Sequence, residues 1–429
     1  MYKTRENYIY KWLLFLFWPF GVFLHSLKNI FDKKNQYFIL AFSFLYGYSV
    51  FLFSGDILRY EQSFYEMINV NWNEYYYLIT NRFLSSEVIT QSGPYLATQP
   101  DYFALSLQFF VSRLTDNPRW FWAVVSLIYT FLTLHFFNII YKETNWVKNS
   151  YSQRIFFIGL ILIVPFFVGV TGVRFWPALF LFMAYAIKFS HKKKIRYLII
   201  AASSILIHFS FILPVLLLII SFFLPKSRFL YKIIAVLSLI LMSTNSTSAS
   251  LSFIANFSSN MEESALTERT ESYTDTEGLE HRYKKVSDSN WYVRYSANFV
   301  LYFFIFLGVI DVFGLFKFKE NEFLYNTFPL FFIFLVLTML TKDLGSISRF
   351  KYILYLLVLS RYSILIGLQP FDFRLKGISY LFLPILILFV IVSFRSGFYT
   401  VDPLLLVNNS ILTFFIHSDI SLSQLLIGH

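Results

Sequence analysis

Arg174 is a cation within a sequence that is otherwise suited to a membrane interior. The stretch 155–189 reads IFFIGLILIVPFFVGVTGVRFWPALFLFMAYAIKF, and Arg174 is the only charge away from its edges. A guanidinium stays protonated, and its transfer to the centre of a bilayer costs at least about 2.5–3.5 kcal/mol. Gly169 and Gly172 precede it and Pro177 follows, so we predict that Arg174 lies at a link between two helices and faces an anion. The alternative is an arginine that extends to the outer headgroups.

Further arginines are candidates for the same anion, because guanidinium groups bind phosphate oxygens bidentately and several of them suit a pyrophosphate. Arg349 begins the apolar stretch SRFKYILYLL, with Tyr352 three residues later, and Arg294 ends the longest polar stretch. Headgroup anchoring is the alternative for both. Arg361 is expected to be either buried or near the cytoplasmic interface. Asp311 is expected near the cytoplasmic end and unrelated to the carboxylates on the outer side.

Two residues are candidates for moving a proton. His208 lies in ILIHFSF, where it is either a base or phosphate ligand, or a core histidine with satisfied hydrogen bonds. Asp56 opens DILRYEQSF, with Arg59 and Tyr60 about one helical turn later. It is either a base or sugar-binding carboxylate, or simply the partner of Arg59. Further carboxylates on the same side are Glu61, Glu66, Glu74 and Asp101.

The composition indicates that these residues belong to a membrane protein. The chain has 429 residues, of which 57% are hydrophobic and 14% charged, against about 25% charged in a soluble domain. We predict an all-α polytopic bundle, a single transmembrane domain over 1–429, with about ten membrane segments, some of them re-entrant. An interfacial helix is predicted over 102–114. The predicted apolar segments are 12–27, 37–54, 119–141, 155–172, 174–189, 197–224, 229–243, 295–316, 323–340, 350–368 and 378–394.

Short basic loops orient these segments. The net charge is +11, but the lysines and arginines cluster between apolar segments, which is the pattern of cytoplasmic loops rather than of a nucleic-acid-binding protein. With those loops inside, 12–27 returns to its own side as a broken re-entrant hairpin, unless it is an ordinary span. The segment 197–224 also returns, with a break near His208. The loops 55–118 and 243–294 then face outward.

Several chemistries are excluded by the sequence. The chain has no cysteine, which excludes thiol catalysis and disulfides. It contains no P-loop, dinucleotide fingerprint, nucleophile elbow or metal-ligand spacing. No cofactor and no metal are therefore predicted.

The order of motifs resembles the EpsG-like family of bacterial exopolysaccharide polymerases, relatives of the Wzy polymerases. GVTGVRFWPALFLFMAYAIKF, a lysine-rich loop and YLIIAASSILIHFSFILP resemble the family core. GDILRY resembles its element after an early span, and SRFKYILY resembles a late helix start. The sequence departs from the family pattern at Phe175, where a glutamine is expected, so an amide contact beside the arginine is in doubt.

The resemblance implies a glycosyltransferase in the bacterial inner membrane. It would polymerise undecaprenyl-pyrophosphate-linked oligosaccharide repeats into exopolysaccharide, capsule or O-antigen at the outer face, alongside a flippase and a chain-length regulator. A ligase uses the same donor. The main alternative is a transporter or flippase of lipid-linked sugars, followed by a membrane acyltransferase with a histidine base. The candidate catalytic residues are Arg174, His208, Arg349 and Asp56, and the candidate substrate-binding residues are Arg59, Tyr60, Arg294 and Tyr352.

Overall fold

Helices account for all regular secondary structure in the part of the chain that the structure describes. The structure, a computed structural model, describes residues 8–51, 56–80, 101–144, 146, 150–164, 166–225, 227–243, 291–314, 321–342 and 347–427. The α-helices are α1 Tyr8–Phe17, α2 Pro19–Leu27, α3 Lys33–Tyr48, α4 Asp56–Ile68, α5 Trp72–Thr80, α6 Tyr102–Ser112, α7 Arg119–Glu143, α8 Tyr151–Leu162, α9 Phe166–Thr171, α10 Phe175–Lys192, α11 Ile195–Ala202, α12 Ser204–Ile207, α13 Ile212–Phe223, α14 Arg228–Ser243, α15 Trp291–Phe313, α16 Glu322–Asn326, α17 Phe328–Thr341, α18 Lys351–Leu368, α19 Phe373–Gly397 and α20 Leu422–Ile427.

Four of these helices are long and apolar enough to cross a membrane. The qualifying stretches are Arg119–Glu143, Tyr295–Phe313, Lys351–Leu368 and Phe373–Arg395. The prediction of an all-helical membrane protein therefore stands, but about ten segments are not confirmed. The predicted segment 155–172 is divided, because α8 ends at Leu162 and α9 begins at Phe166.

The directions of α3, α7 and α10 define the two ends of the bundle. Gln36, near the start of α3, donates to Asn138, near the end of α7, at 2.9 Å. Arg119, at the start of α7, donates to the Tyr48 carbonyl at the end of α3, at 3.2 Å. These two helices are therefore antiparallel. We call the end where α7 begins the site end, and the end where α7 finishes the basic end.

The helix α10 runs in the same direction as α7. The ring of Tyr129 lies 5.8 Å from that of Phe180, and further along both helices Lys188 Nζ lies 3.3 Å from His135 Nε2. Arg174, directly before α10, is consequently at the site end, and the lysine-rich loop after Lys192 is at the basic end.

The segment 197–224 returns to the basic end, as predicted. Tyr197 at its start packs near Tyr185 of α10, with 6.3 Å between ring centroids. Phe222 at its far end lies 5.6 Å from Phe189 of the same helix. The helix is interrupted at His208, which has extended backbone angles of φ −147° and ψ 111°. The tip of this hairpin is therefore His208, at the site end.

The segment 12–27 is also broken, at Trp18 between α1 and α2. Both outer ends of this helix pair lie beside the start of α3: Tyr8 donates to Asp32 at 2.8 Å, and Asp32 follows α2 by a short turn. The pair is therefore a hairpin, which agrees with the re-entrant interpretation. Its break follows from Pro19, which has no N–H to donate to the carbonyl oxygen of Phe15.

The chain after α19 supplies the hydrogen bonds that this break leaves open. The Ser410 hydroxyl donates to the Phe15 carbonyl at 2.6 Å, and the Ser410 N–H donates to the Leu16 carbonyl at 2.9 Å. Thr400, in the same tail, accepts from the Phe51 N–H at 3.0 Å. The tail thus joins the α1–α2 hairpin to the end of α3.

Removal of the Ser410 hydroxyl is expected to destabilise the protein. Ser410→Ala leaves the buried Phe15 carbonyl without a donor, which costs about 1–3 kcal/mol. Thermal unfolding in detergent measures this loss. Ser243→Ala is the control, because its hydroxyl only donates to the Ile240 carbonyl of its own exposed helix end. Equal stability of the two variants would contradict the role given to Ser410.

A buried ion pair joins α15 to α18. Arg361 Nε donates to Asp311 Oδ2 at 2.8 Å, and the two side chains are 2% and 0% exposed. Arg361 also donates to the Leu324 carbonyl at 2.8 Å. This contact settles the open placement of Arg361, which is buried. It also gives Asp311 a structural partner.

A smaller group of helices covers the site end. Gln108 of α6 donates to the Tyr60 carbonyl of α4 at 2.8 Å and to the Ser63 hydroxyl at 2.7 Å. Arg113 donates to the carbonyl oxygens of Met67 and Ile68, which end α4. Because the last carbonyls of a helix lack intrahelical partners, this arginine fixes α4 against α6. The helix predicted over 102–114 is present as α6 and begins immediately after Asp101.

Candidate functional site

The turn before α10 requires glycine at two positions. A Cβ atom on Gly172 would lie 2.2 Å from the Trp176 ring, and one on Gly169 would lie 2.1 Å from the Tyr129 ring. Neither distance is possible for a real side chain. Both rings pack directly against backbone that has no side chain. Arg174 lies in the turn between α9 and α10, as the Gly and Pro pattern predicted.

The break at His208 exposes backbone that a continuous helix would satisfy. A short 3-10 turn, Phe209–Phe211, follows the break, and the N–H of Phe209 donates to a side-chain carboxylate at 2.8 Å. The His208 ring lies between aromatic neighbours, with centroids 6.1 Å from Phe175 and 6.2 Å from Phe211. The histidine is therefore held at the site end beside the start of α10.

Asp101 connects the turn and the break. Its Oδ2 accepts from Arg174 Nη1 at 2.7 Å, and its Oδ1 accepts from the Phe209 N–H at 2.8 Å. The same Oδ2 lies 3.3 Å from His208 Nδ1. Asp101 precedes α6, where an aspartate usually caps its own helix, but it makes no such bond. Its carboxylate instead serves the other two elements, and we call Asp101, Arg174 and His208 the Asp101 cluster.

The Asp101 carboxylate is ionised despite complete burial of its side chain. Burial alone would raise its pKa. The contact with His208, the positive charge of Arg174 and the Phe209 N–H outweigh burial and hold the pKa below its usual value. The cluster therefore contains an ionised carboxylate, and its removal would take a counter-ion away from the partly buried guanidinium of Arg174.

His208 presents one ring nitrogen to Asp101. The Nδ1 atom is buried and has no properly aligned hydrogen-bond partner among the described residues, so the carboxylate oxygen at 3.3 Å is its polar neighbour. A proton on Nδ1 is attracted to that oxygen, which favours the tautomer with a lone pair on Nε2. The side chain is 14% exposed. The arrangement therefore suits Nε2 for accepting a proton from a bound molecule.

Arg174 combines a fixed position with access to solutes. Its Cζ lies 5.8 Å from the centroid of the Tyr60 ring, a cation–π distance. Tyr60 is itself buried and meets Trp122 edge-to-face at 6.1 Å. The Arg174 side chain remains 26% exposed. The guanidinium can therefore meet an anionic ligand while Asp101 and Tyr60 hold it.

The structure brings two more predicted residues to the same end. Tyr352 packs edge-to-face on Trp176 at 4.9 Å. Phe350 lies 5.6 Å from Phe211. Arg349, directly before Phe350, is exposed there and is available as a second cation at the site end.

The remaining predicted residues are not brought into the cluster by the described contacts. Asp56 begins α4, and Arg294 belongs to α15, but the side chains of both lie outside the described residues. Arg59 is exposed on α4. Asp101 is the residue that the sequence interpretation did not select, although it was among the outward carboxylates. Its signal was its position directly before the short helix 102–114.

Within the described residues, no three His, Asp or Glu side chains are grouped so that they could hold a metal ion. The Asp101 cluster itself offers a guanidinium, an imidazole and a carboxylate. Comparison of the chain with family models, with curated proteins and with solved structures found no match.

Proposed function

We propose that the protein is a membrane glycosyltransferase that polymerises lipid-pyrophosphate-linked oligosaccharide repeats at the outer face of the bacterial inner membrane. The supporting observation is that one buried carboxylate, Asp101, holds a solvent-accessible arginine and a histidine together. This transfer needs a cation for the leaving pyrophosphate and a base for the attacking hydroxyl. The EpsG-like order of motifs supports the same assignment.

In the proposed reaction, a hydroxyl of the acceptor repeat attacks the anomeric carbon of the donor chain. The new carbon–oxygen bond forms as the bond between the anomeric carbon and the pyrophosphate oxygen breaks. The electron pair of the broken bond stays on the departing phosphate oxygen. His208 Nε2 accepts the hydroxyl proton. Arg174 stabilises the negative charge that develops on the leaving group, with Arg349 as a second cation.

The distribution of charge supports an outward-facing site. The lysine-rich loop after α10 is at the end of the bundle opposite the Asp101 cluster. Arg228 begins α14, and Arg374 and Lys376 lie in the first turn of α19. Because basic loops remain in the cytoplasm, the cluster would face the outer side. Lipid-linked repeats are presented to a polymerase on that side.

Reconstitution tests the proposal directly. Purified protein in liposomes, given one defined lipid-pyrophosphate-linked repeat, is expected to yield a ladder of polymers. One lipid pyrophosphate should be released for each new glycosidic bond. The same repeat on a lipid monophosphate is the control and should give no ladder. An unchanged single repeat in both samples, with the protein folded, would reject polymerisation.

A flippase or transporter of lipid-linked sugars is the second candidate. Interrupted helices favour it, because discontinuous helices often form transport sites. Here apolar segments are interrupted at Trp18, between Leu162 and Phe166, and at His208. A fluorescent lipid-linked repeat in vesicles distinguishes the two functions. Transport moves the label between leaflets without lengthening the glycan, whereas polymerisation lengthens it.

A further inference from the structure

A groove opens at the site end of α19. Its cavity volume is about 540 Å³, and its walls come from one face of α19 and from α20. The α19 wall carries Val390, Ile391 and Phe394, and Leu426 belongs to α20. The Ser423 N–H donates to the Phe398 carbonyl at 3.1 Å, which fixes α20 across the end of α19. The lining is apolar except for Ser423 and Arg395.

The groove faces the region where lipid would lie. Only 28% of the apolar window of α19 is buried within the protein, against 83% for α18. The stretch Phe373–Arg395 has 23 residues, a length of about 34 Å at 1.5 Å per residue. It begins at the basic end, where Ser379 donates to Ser152 near the start of α8 at 2.8 Å. Arg395 therefore lies at the opposite membrane interface, with the apolar groove beside it.

Arg395 carries a positive charge at the rim of this groove. Its Cζ lies 5.3 Å from the Tyr292 ring centroid, and no carboxylate of the described residues pairs with it. The neighbouring Trp291 and Tyr295 are exposed at 69% and 44%, as is typical of aromatic residues at headgroup level. The stacked guanidinium keeps its charge and its hydrogen-bond donors for a ligand.

We propose that this groove binds an anionic phospholipid, with the phosphate on Arg395 and an acyl chain between α19 and α20. A single guanidinium matches the single negative charge of a phosphodiester. A pyrophosphate carrier with a bulky glycan would need more cationic groups, such as those near the Asp101 cluster. The groove opens to the bilayer, so a lipid enters it laterally. This inference is independent of the proposed glycosyl transfer.

Photo-crosslinking tests the lipid site. The full-length protein is placed in nanodiscs with phosphatidylglycerol that carries a diazirine in one acyl chain, and the labelled peptides are mapped. We expect labelling within 390–398 and 422–427. Arg395→Gln should reduce it about fivefold, the effect of one cation near a membrane surface. Arg374→Gln is the matched control, because Arg374 lies at the other end of α19 and pairs with Asp372.

A second variant tests the contribution of the apolar wall without changing the charge of Arg395. Ile391→Trp fills the apolar wall but retains Arg395, and it should also lower labelling of both peptides. Unchanged labelling in either Arg395→Gln or Ile391→Trp would overturn the proposal. Competition by undecaprenyl phosphate but not by unlabelled phosphatidylglycerol would overturn it as well, because the occupant would then be a polyprenyl lipid.

Discussion

Replacing Asp101 with asparagine is expected to reduce polymer formation by about 10²–10³-fold, the loss typical when an electrostatic contribution is removed from a catalytic site. The amide has nearly the shape of the carboxylate and can still accept the Phe209 N–H. It cannot neutralise Arg174 or attract a proton on His208 Nδ1, and its own NH₂ group must face a donor. Initial rates with a defined lipid-linked repeat measure the effect.

The way in which the rate falls distinguishes positioning from misfolding. Asp101 is completely buried, so it acts through Arg174 and His208 rather than on the substrate. We therefore expect kcat to fall much more than KM changes, with normal insertion and a retained, though lowered, melting temperature. Asp116→Asn is the matched control, since Asp116 is an exposed carboxylate between α6 and α7. Equal activity of the two variants would remove Asp101 from the mechanism.

Arg174→Lys is the second change with a large expected effect. Lysine retains the positive charge but not the planar fork that can bind Asp101 on one edge and phosphate on another. We expect a loss of about 10²-fold in polymer formation. In cells, gel profiling of lipid-linked glycans should show accumulated single repeats and no ladder.

Arg374→Lys is the control for Arg174→Lys. Arg374 also pairs with an aspartate, Asp372 at 2.8 Å, but at the basic end, far from the proposed site. A normal ladder in Arg174→Lys would exclude Arg174 from catalysis. Loss of single repeats from the outer face, rather than their accumulation, would favour the flippase.

Local features of the sequence predicted two of the interrupted helices, with an ordinary span left open for 12–27. Pro19 removes an N–H, and its position in the middle of a short apolar segment predicted the break between α1 and α2. The length of 197–224 and its flanking basic loops predicted that the segment returns, with His208 near the break. The number of spans was not confirmed in the same way. The predicted segment 155–172 runs through the gap between Leu162 and Phe166, although Pro165 directly before Phe166 is the same kind of local signal as Pro19.

The partners of charged residues required the tertiary structure. Arg174 and Asp101 are 73 residues apart, and Phe209 and Asp101 are 108 apart. Asp101 was one of several outward carboxylates, and its position directly before the helix 102–114 indicates a helix cap rather than a partner for Arg174. Arg361 and Asp311 are separated by 50 residues, so the sequence did not predict their pairing either.

The sequence was sufficient to predict a helical membrane protein, a negative partner for Arg174, and a common end of the bundle for Arg174 and His208. These conclusions follow from the cost of a charge in hydrocarbon, from proline and glycine geometry, and from the positions of basic loops. The pairing of Arg174 with Asp101 is visible only in the folded chain. A buried carboxylate is stable only where folding gathers enough donors around it, and those donors come from two separate parts of the chain, the turn before α10 and the break at His208.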